Sequence, residues 1–173
     1  MGVTLQNHDE EREQNREQEH EQPQTQTQTQ TQTQDQAFDS DDAHVLEFDL
    51  AGNRYCVEIG YIAEIVNAAE ITSIPNTPAH VEGVMDLRGE TTKIVNLKTM
   101  FDLEDRSHGN RIIVFKRKRG ADERIGWLAD EVQQVHTLDP ETVDTGVDST
   151  GIAGIVRRED RFVVWIDPTD VWI

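Results

Sequence analysis

The chain has 173 residues and a formal net charge of −18, with 34 acids against 16 lysines and arginines. That length holds one domain with a tail or two very small lobes. The single cysteine, Cys56, excludes an internal disulfide framework and any cysteine-built zinc cluster, and no apolar run approaches the ~20 residues that a membrane-crossing helix needs.

Residues 1–43 carry few large apolar side chains besides Met1, namely Val3, Leu5 and Phe38, and they hold 11 acids against two arginines. Residues 6–36 are almost wholly Gln, Glu, Thr, Arg, Asp and Asn, with a Thr-Gln dipeptide repeated from Thr25 to Gln34. Such a segment buries too little apolar area to offset chain entropy, so 1–43 is expected to be a disordered Gln/Glu/Thr-rich tail. The opening MGVTLQNHDEEREQ lacks a basic-plus-apolar leader, and the reading is a cytoplasmic protein without direct membrane insertion. Residues 44–173 are expected to form the ordered domain.

In HVLEFDL, Leu46, Phe48 and Leu50 alternate with Val45, Glu47 and Asp49, the period-two pattern of a half-buried strand. The turn Ala51-Gly52-Asn53 and the run RYCVEI complete a hairpin over 44–59. In GYIAEIV, Ile62, Ile65 and Val66 suit one helical turn leading into a short strand. Pro75 and Pro78 around Asn76 predict a rigid loop. VEGVMDLRGETTKIVNL reads as strand, turn at Arg88-Gly89-Glu90 and strand, and KTMFDL as a short helix. RIIVFKRKRGADERIGWLADEVQQV reads as a hairpin with its tip at 119–122. A long loop, TLDPETVDTGVDST, precedes a last hairpin whose turn is Glu159-Asp160. Ten short strands with tight turns and little helix predict an all-β fold, better divided into two five-stranded barrels than closed as one.

The six histidines are His8, His20, His44, His80, His108 and His136, and none stands at the i, i+4 spacing of a helical metal pair. GxSxG, GxxxxGK[ST] and GxGxxG are absent, so neither catalytic, cofactor-binding nor metal residues are assigned. The basic run KRKR at 116–119 is followed at once by acids and lacks an aromatic platform. It reads as a solvated hairpin tip, at most a complement to an acidic protein surface, and no nucleic-acid partner is expected.

Residues 81–103 are the most informative stretch. Gly83 and Gly89 bracket a short strand, and Arg88 precedes the turn glycine, where its guanidinium can still reach a carboxylate. Taken in order, FDLAGNRYCVEI, the IAEI run around Glu64, IPNTPAHVEGVMDLRG, IGWLADEV and RFVVWID resemble the CheW-like family of chemotaxis coupling proteins over about 44–173. The family usually continues after LRG with a Val-Pro-Ile/Val-Asp-Leu pattern, where this chain has Lys93 at the proline and Asn96 at the aspartate.

The resemblance implies two interlocked five-stranded SH3-like barrels, no enzymatic activity and no cofactor. It implies an adaptor that bridges the cytoplasmic tip of a methyl-accepting chemoreceptor to the regulatory domain of a chemotaxis histidine kinase, at membrane-associated receptor arrays. The alternative it leaves is a module that competes for receptor or kinase without activating it. By position, Ile62, Glu64, Gly83, Val84 and Arg88 are assigned to the coupling surfaces, with the strand at Trp127–Val132 beside the receptor groove. Glu64 and Arg88 are expected to pair and so orient the turn.

The bases outside the tail are skewed, with all four lysines of the chain (Lys93, Lys98, Lys116, Lys118) in the domain against 12 arginines overall. An acid-rich, lysine-poor surface suits a salt-rich medium that screens its self-repulsion. The melting temperature is therefore expected to rise from low to molar KCl in a thermal denaturation series, and a flat series would count against this reading.

Overall fold

The computed structural model describes residues 43–105, 107–117, 120 and 123–171. The expected disordered tail therefore lies outside the described residues except for Ala43, as do Lys118, Arg119, Ala121 and Asp122 of the basic hairpin tip. Eleven strands run through the described residues: β1 His44–Leu50, β2 Asn53–Glu58, β3 Ile62–Asn67, β4 Val81–Leu87, β5 Glu90–Asn96, β6 Arg111–Phe115, β7 Arg124–Ala129, β8 Glu131–Thr137, β9 Val143–Asp144, β10 Ile152–Arg157 and β11 Phe162–Ile166. Two one-turn helices, α1 Leu97–Met100 and α2 Pro168–Val171, follow β5 and β11.

The strands form two sheets. The first has six strands in the order β8-β1-β2-β11-β10-β9, and the second has five in the order β3-β6-β7-β5-β4. The expected all-β, two-lobed fold is thus present, the first lobe gaining the two-residue β9. The chain leaves the first sheet after β2, builds the whole second sheet, and returns at β8 with only Asp130 between β7 and β8. Two parallel pairings, β2 with β11 and β5 with β7, close this path.

Local chemistry explains most of these elements. The β1–β2 turn is Ala51-Gly52, with φ of 51° and 78°, the left-handed pair that lets a two-residue hairpin follow the strand twist. Pro75 and Pro78 keep 73–80 out of the ladder, leaving a single bridge between Thr72 and Val84. Asn96 caps α1, its side chain accepting from the Lys98 and Thr99 N–H groups. An aspartate would make the same cap, which explains why Asn96 is tolerated there. Lys93 lies inside β5 between β4 and β7, where its backbone belongs to a ladder that proline would interrupt.

The helical turn expected from Ile62, Ile65 and Val66 does not form. A 3-10 turn occupies Ile59–Tyr61 instead, and all three residues belong to β3. A register shift between Ile62 and Glu64 sets Ile62 opposite Phe115 and Ile65 opposite Ile113. Because both partners face the same side, the bulge imitates the i, i+3 apolar spacing of a helix.

Three apolar clusters fill the fold. Met85, Ile94, Ile112, Val114 and Leu128 pack inside the second lobe, and Val45, Cys56, Leu138, Val156, Val163 and Trp165 inside the first. The largest cluster joins the two sheets, with Leu46, Phe48, Leu50, Tyr55 and Val57 from one side and Val95, Ile113, Phe115, Trp127 and Ala129 from the other. Trp127 is fully buried, its ring 4.4 Å from Phe115 and 6.4 Å from Phe48 between centroids. The Cys56 thiol is pushed up by burial in the first lobe, which leaves it protonated and inert.

Glu47 departs from the expected polar-out position, being 1% exposed. The reverse face of β1 is the interior of the first lobe rather than solvent. There the carboxylate meets the guanidiniums of Arg158 at 3.3 Å, Arg161 at 3.5 Å and Arg54 at 3.8 Å, with the His136 ring at 3.4 Å. A buried carboxylate needs such company. A second buried charge ties the lobes together. Lys98 Nζ donates to Ser107 O and Oγ, both at 2.8 Å, and lies 2.6 Å from Asp130. Asp130 in turn accepts the Ala51 N–H and donates its own N–H to Asp49 O.

Truncating Trp127 removes an aromatic ring from both sheets at once. Trp127→Ala is expected to cost about 3–5 kcal/mol of unfolding free energy, measured by denaturant titration. A loss below about 1 kcal/mol would show that the two sheets do not depend on this shared packing.

Candidate functional site

β3 and β4 are the two edges of the five-stranded order. Thr72, in the segment after β3, bridges to Val84 of β4. Arg88 and Gly89 form the two-residue turn between paired Leu87 and Glu90, with φ of 56° and 83°. This turn favours Asn-Gly, because a left-handed φ crowds a larger β-carbon substituent. An arginine in the first position is held against that preference.

From this turn Arg88 Nη1 reaches Glu64 Oε2 at 2.9 Å, so the expected pair is present. Arg88 stays 76% exposed along its side chain, whereas Glu64 is 20% exposed. The pair belongs to a longer alternating row. Arg124, at the start of β7, approaches Glu64 Oε1 at 3.5 Å and Glu90 Oε2 at 3.0 Å, and Arg117 approaches Glu90 Oε1 at 3.1 Å. The row Arg88–Glu64–Arg124–Glu90–Arg117 crosses one end of the second lobe, drawing on β3, β5, β7 and the segment after β6. Arg124, Glu90 and Arg117 did not emerge from the sequence, since the row joins residues far apart in the chain.

The opposite face of β3 from Glu64 carries Ile62 and Ile65. Ile62 is half-buried against the inter-sheet core, and Ile65 is 40% exposed on the same face. Val84 is half-buried in β4, opposite Lys93. Ile62, Glu64, Val84 and Arg88 therefore lie on accessible parts of the second lobe. Most of the other assigned residues are buried. Gly83 is buried at φ 151°, and a β-carbon there would stand 2.2 Å from Thr72 O, so this glycine admits the neighbouring backbone and presents no surface. Trp127, Leu128 and Ala129 are core residues, and the run to Val132 is broken at Asp130 into β7 and β8.

A cleft of about 380 Å³ beside α1 is lined in part by Glu82, Asn96, Lys98, Asp105 and His108. Its polar groups hold one another. Glu82 accepts from Asn96 at 3.2 Å and lies 3.5 Å from His108. The Ser107 N–H and hydroxyl donate to Asp105, and these bonds, with Lys98 nearby, draw the Asp105 carboxyl below its usual range. Ser107 beside His108 is thus a loop-bracing serine. No trio of His, Cys, Asp or Glu among the described residues is placed to hold a metal ion, and none of their helices is long and apolar enough to cross a membrane.

Residues 44–172 match the family described as the CheW-like domain. The chain is 27% identical over 140 residues to the chemotaxis protein CheW of Treponema pallidum, spanning 76% of this chain and 82% of that protein. It is 29% identical over 128 residues to the chemotaxis protein CheW of Thermotoga maritima, spanning 71% and 83%. The scaffolding protein TtCheW from Thermoanaerobacter tengcongensis superposes with a TM-score of 0.65 at 26% identity, covering 73% of this chain and 84% of that one.

The turn geometry sets a stability expectation. Arg88→Asn supplies the preferred turn residue and removes an exposed ion pair worth about 0–1 kcal/mol. Its thermal melt should show a stability equal to the parent's or up to about 1 kcal/mol higher. A loss of more than about 1 kcal/mol would mean that the pair, rather than the turn, controls local stability.

Proposed function

The chain belongs to the CheW-like domain family, and from that membership we propose that it is a chemotaxis adaptor linking a chemoreceptor's cytoplasmic tip to the regulatory domain of a chemotaxis histidine kinase. The family is one of scaffolding adaptors, in which function is carried by surfaces, and the second lobe supplies the required kinds. The observation that carries the reading is Ile65, 40% exposed on β3, the strand whose other face carries the Glu64–Arg88 pair.

A helical receptor tip presents apolar side chains at i, i+3 and i+4, and a short strip of branched side chains on a rigid strand is a suitable seat for them. The adjoining charges set orientation and exclude wrong registers. Such contacts need only modest area, because an array multiplies weak interfaces.

The test is capture of a receptor cytoplasmic fragment and of the kinase regulatory domain by the full chain, followed by kinase autophosphorylation with receptor present. Both partners are expected to be retained, and autophosphorylation is expected to rise on adding the protein. Ile65→Asp is expected to weaken receptor capture by about tenfold or more with an unchanged melting temperature. Capture of neither partner would overturn the proposal, and capture without a rise in autophosphorylation would assign the competing role instead.

A further inference from the structure

The last hairpin of the first sheet is held differently at its two ends. At one end Ile166 and Val171 belong to the cluster shared by the two sheets, and the Asp167 N–H donates to Gly151 O at 3.0 Å. At the other end, the turn after β10 brings Arg158 and Arg161 to the Glu47 carboxylate, at 3.3 and 3.5 Å. Between the two ends the register of β10 on β11 shifts between Ile152 and Gly154, and a β-carbon added to Gly154 would stand 2.8 Å from Asp144 O. A bulge of this kind is where a strand bends. The hairpin's lateral pairing is short. β11 meets β2 at Val164–Tyr55 and Trp165–Cys56, and β10 meets β9 at Ile155–Asp144 and Val156–Val143.

We propose that residues 155–163 form a strap, hinged at the Gly154 bulge and latched by Arg158 and Arg161 on Glu47, which opens while both sheets otherwise stay folded. This conformational device is independent of the adaptor reading. Opening withdraws Val156 and Val163 from the cluster that encloses Cys56. It uncovers the interior of the first lobe without undoing the packing that joins the lobe to the second sheet.

The latch is built to release. Glu47 is 1% exposed, yet neither of its oxygens, nor Nε or Nη2 of Arg158, makes a direct hydrogen bond among the described residues. Buried polar atoms in that condition are costly, and contact with solvent relieves them. When the strap lifts, Arg158 and Arg161 leave together, with Asp160 3.6 Å from Arg161. Arg54, which also pairs with Asp49, and the His136 ring stay with Glu47 on the frame, at 3.8 and 3.4 Å. The carboxylate is therefore never stripped of partners. The tip of the hairpin adds little apolar hold, since Phe162 is 66% exposed. Short pairing and an exposed tip are the marks of a segment that opens locally.

Cys56, the single cysteine of the chain, reports the opening, because its thiol is buried and protonated while the strap is closed. The experiment labels the full chain with an uncharged thiol reagent under native conditions and measures global unfolding separately by urea titration. Cys56 is expected to label at least about tenfold faster than global unfolding allows, at a rate nearly insensitive to urea below the unfolding transition. Trp127→Ala lowers global stability but is expected to leave the labelling rate within about twofold, because Trp127 stays packed in the open state. Arg158→Gln and Arg161→Gln are each expected to label about three- to tenfold faster, and Arg157→Gln, at an exposed position beside the latch, to stay within about twofold of the parent. The strap is wrong if labelling climbs with urea as steeply as global unfolding does, or if Trp127→Ala accelerates it in proportion to the stability lost. It is equally wrong if the Arg158 and Arg161 variants label no faster than Arg157→Gln. Should Trp127→Ala fail to fold, the urea dependence decides between local and global opening.

Discussion

The structure depends on one packing arrangement: the Trp127 ring held between Phe115 of its own sheet and Phe48 of the other. Phe48 continues to Tyr55 at 6.1 Å, and Tyr55 to Phe101 beyond α1 at 6.2 Å. Each sheet of such a small lobe can fill its own interior with only five or six side chains, too few to hold it alone. The shared aromatic layer supplies the rest. It also fixes the inter-sheet side of β3, where Ile62 packs against the shared cluster.

Charge is organised on the same principle of shared work. Glu47 inside the first lobe and Lys98 between the lobes are buried, each facing opposite charges contributed by other elements. The row at the end of the second lobe is different, since its members are partly in solvent and individually contribute little to stability. Its value lies in geometry. Arginine, the dominant base of this chain, presents a rigid fork that can serve two carboxylates, as Arg124 does with Glu64 and Glu90. Lysine at the same place would serve as a point charge.

Much of the architecture was legible because its causes are local. The alternation of Leu46, Phe48 and Leu50, the prolines at 75 and 78, and the Arg88-Gly89 turn each act within a few residues. The pairing of Glu64 with Arg88 was legible from matching motifs. What escaped was set by distant strands. Glu47 looked solvent-facing because nothing nearby announces that Arg158, Arg161 and His136 will enclose it. Ile62 and Ile65 looked helical because a bulge shifts the strand period by one. Gly83 and Trp127 looked like parts of a surface, but one admits the Thr72 backbone and the other fills the centre of the core. Arg124 escaped for the same reason, since its two partners lie on β3 and β5.

The return of the chain to its first sheet has a consequence for biogenesis. β11 sits between β2 and β10 rather than at an edge, so the sheet begun by residues 44–58 stays open until the residues at 162–166 have left the ribosome. The intervening lobe, whose strands all lie within 62–129, can be completed earlier in translation. Vectorial synthesis therefore favours an order in which the inserted lobe pairs first with its aromatic face packed on β1 and β2, and the outer sheet closes when β11 arrives.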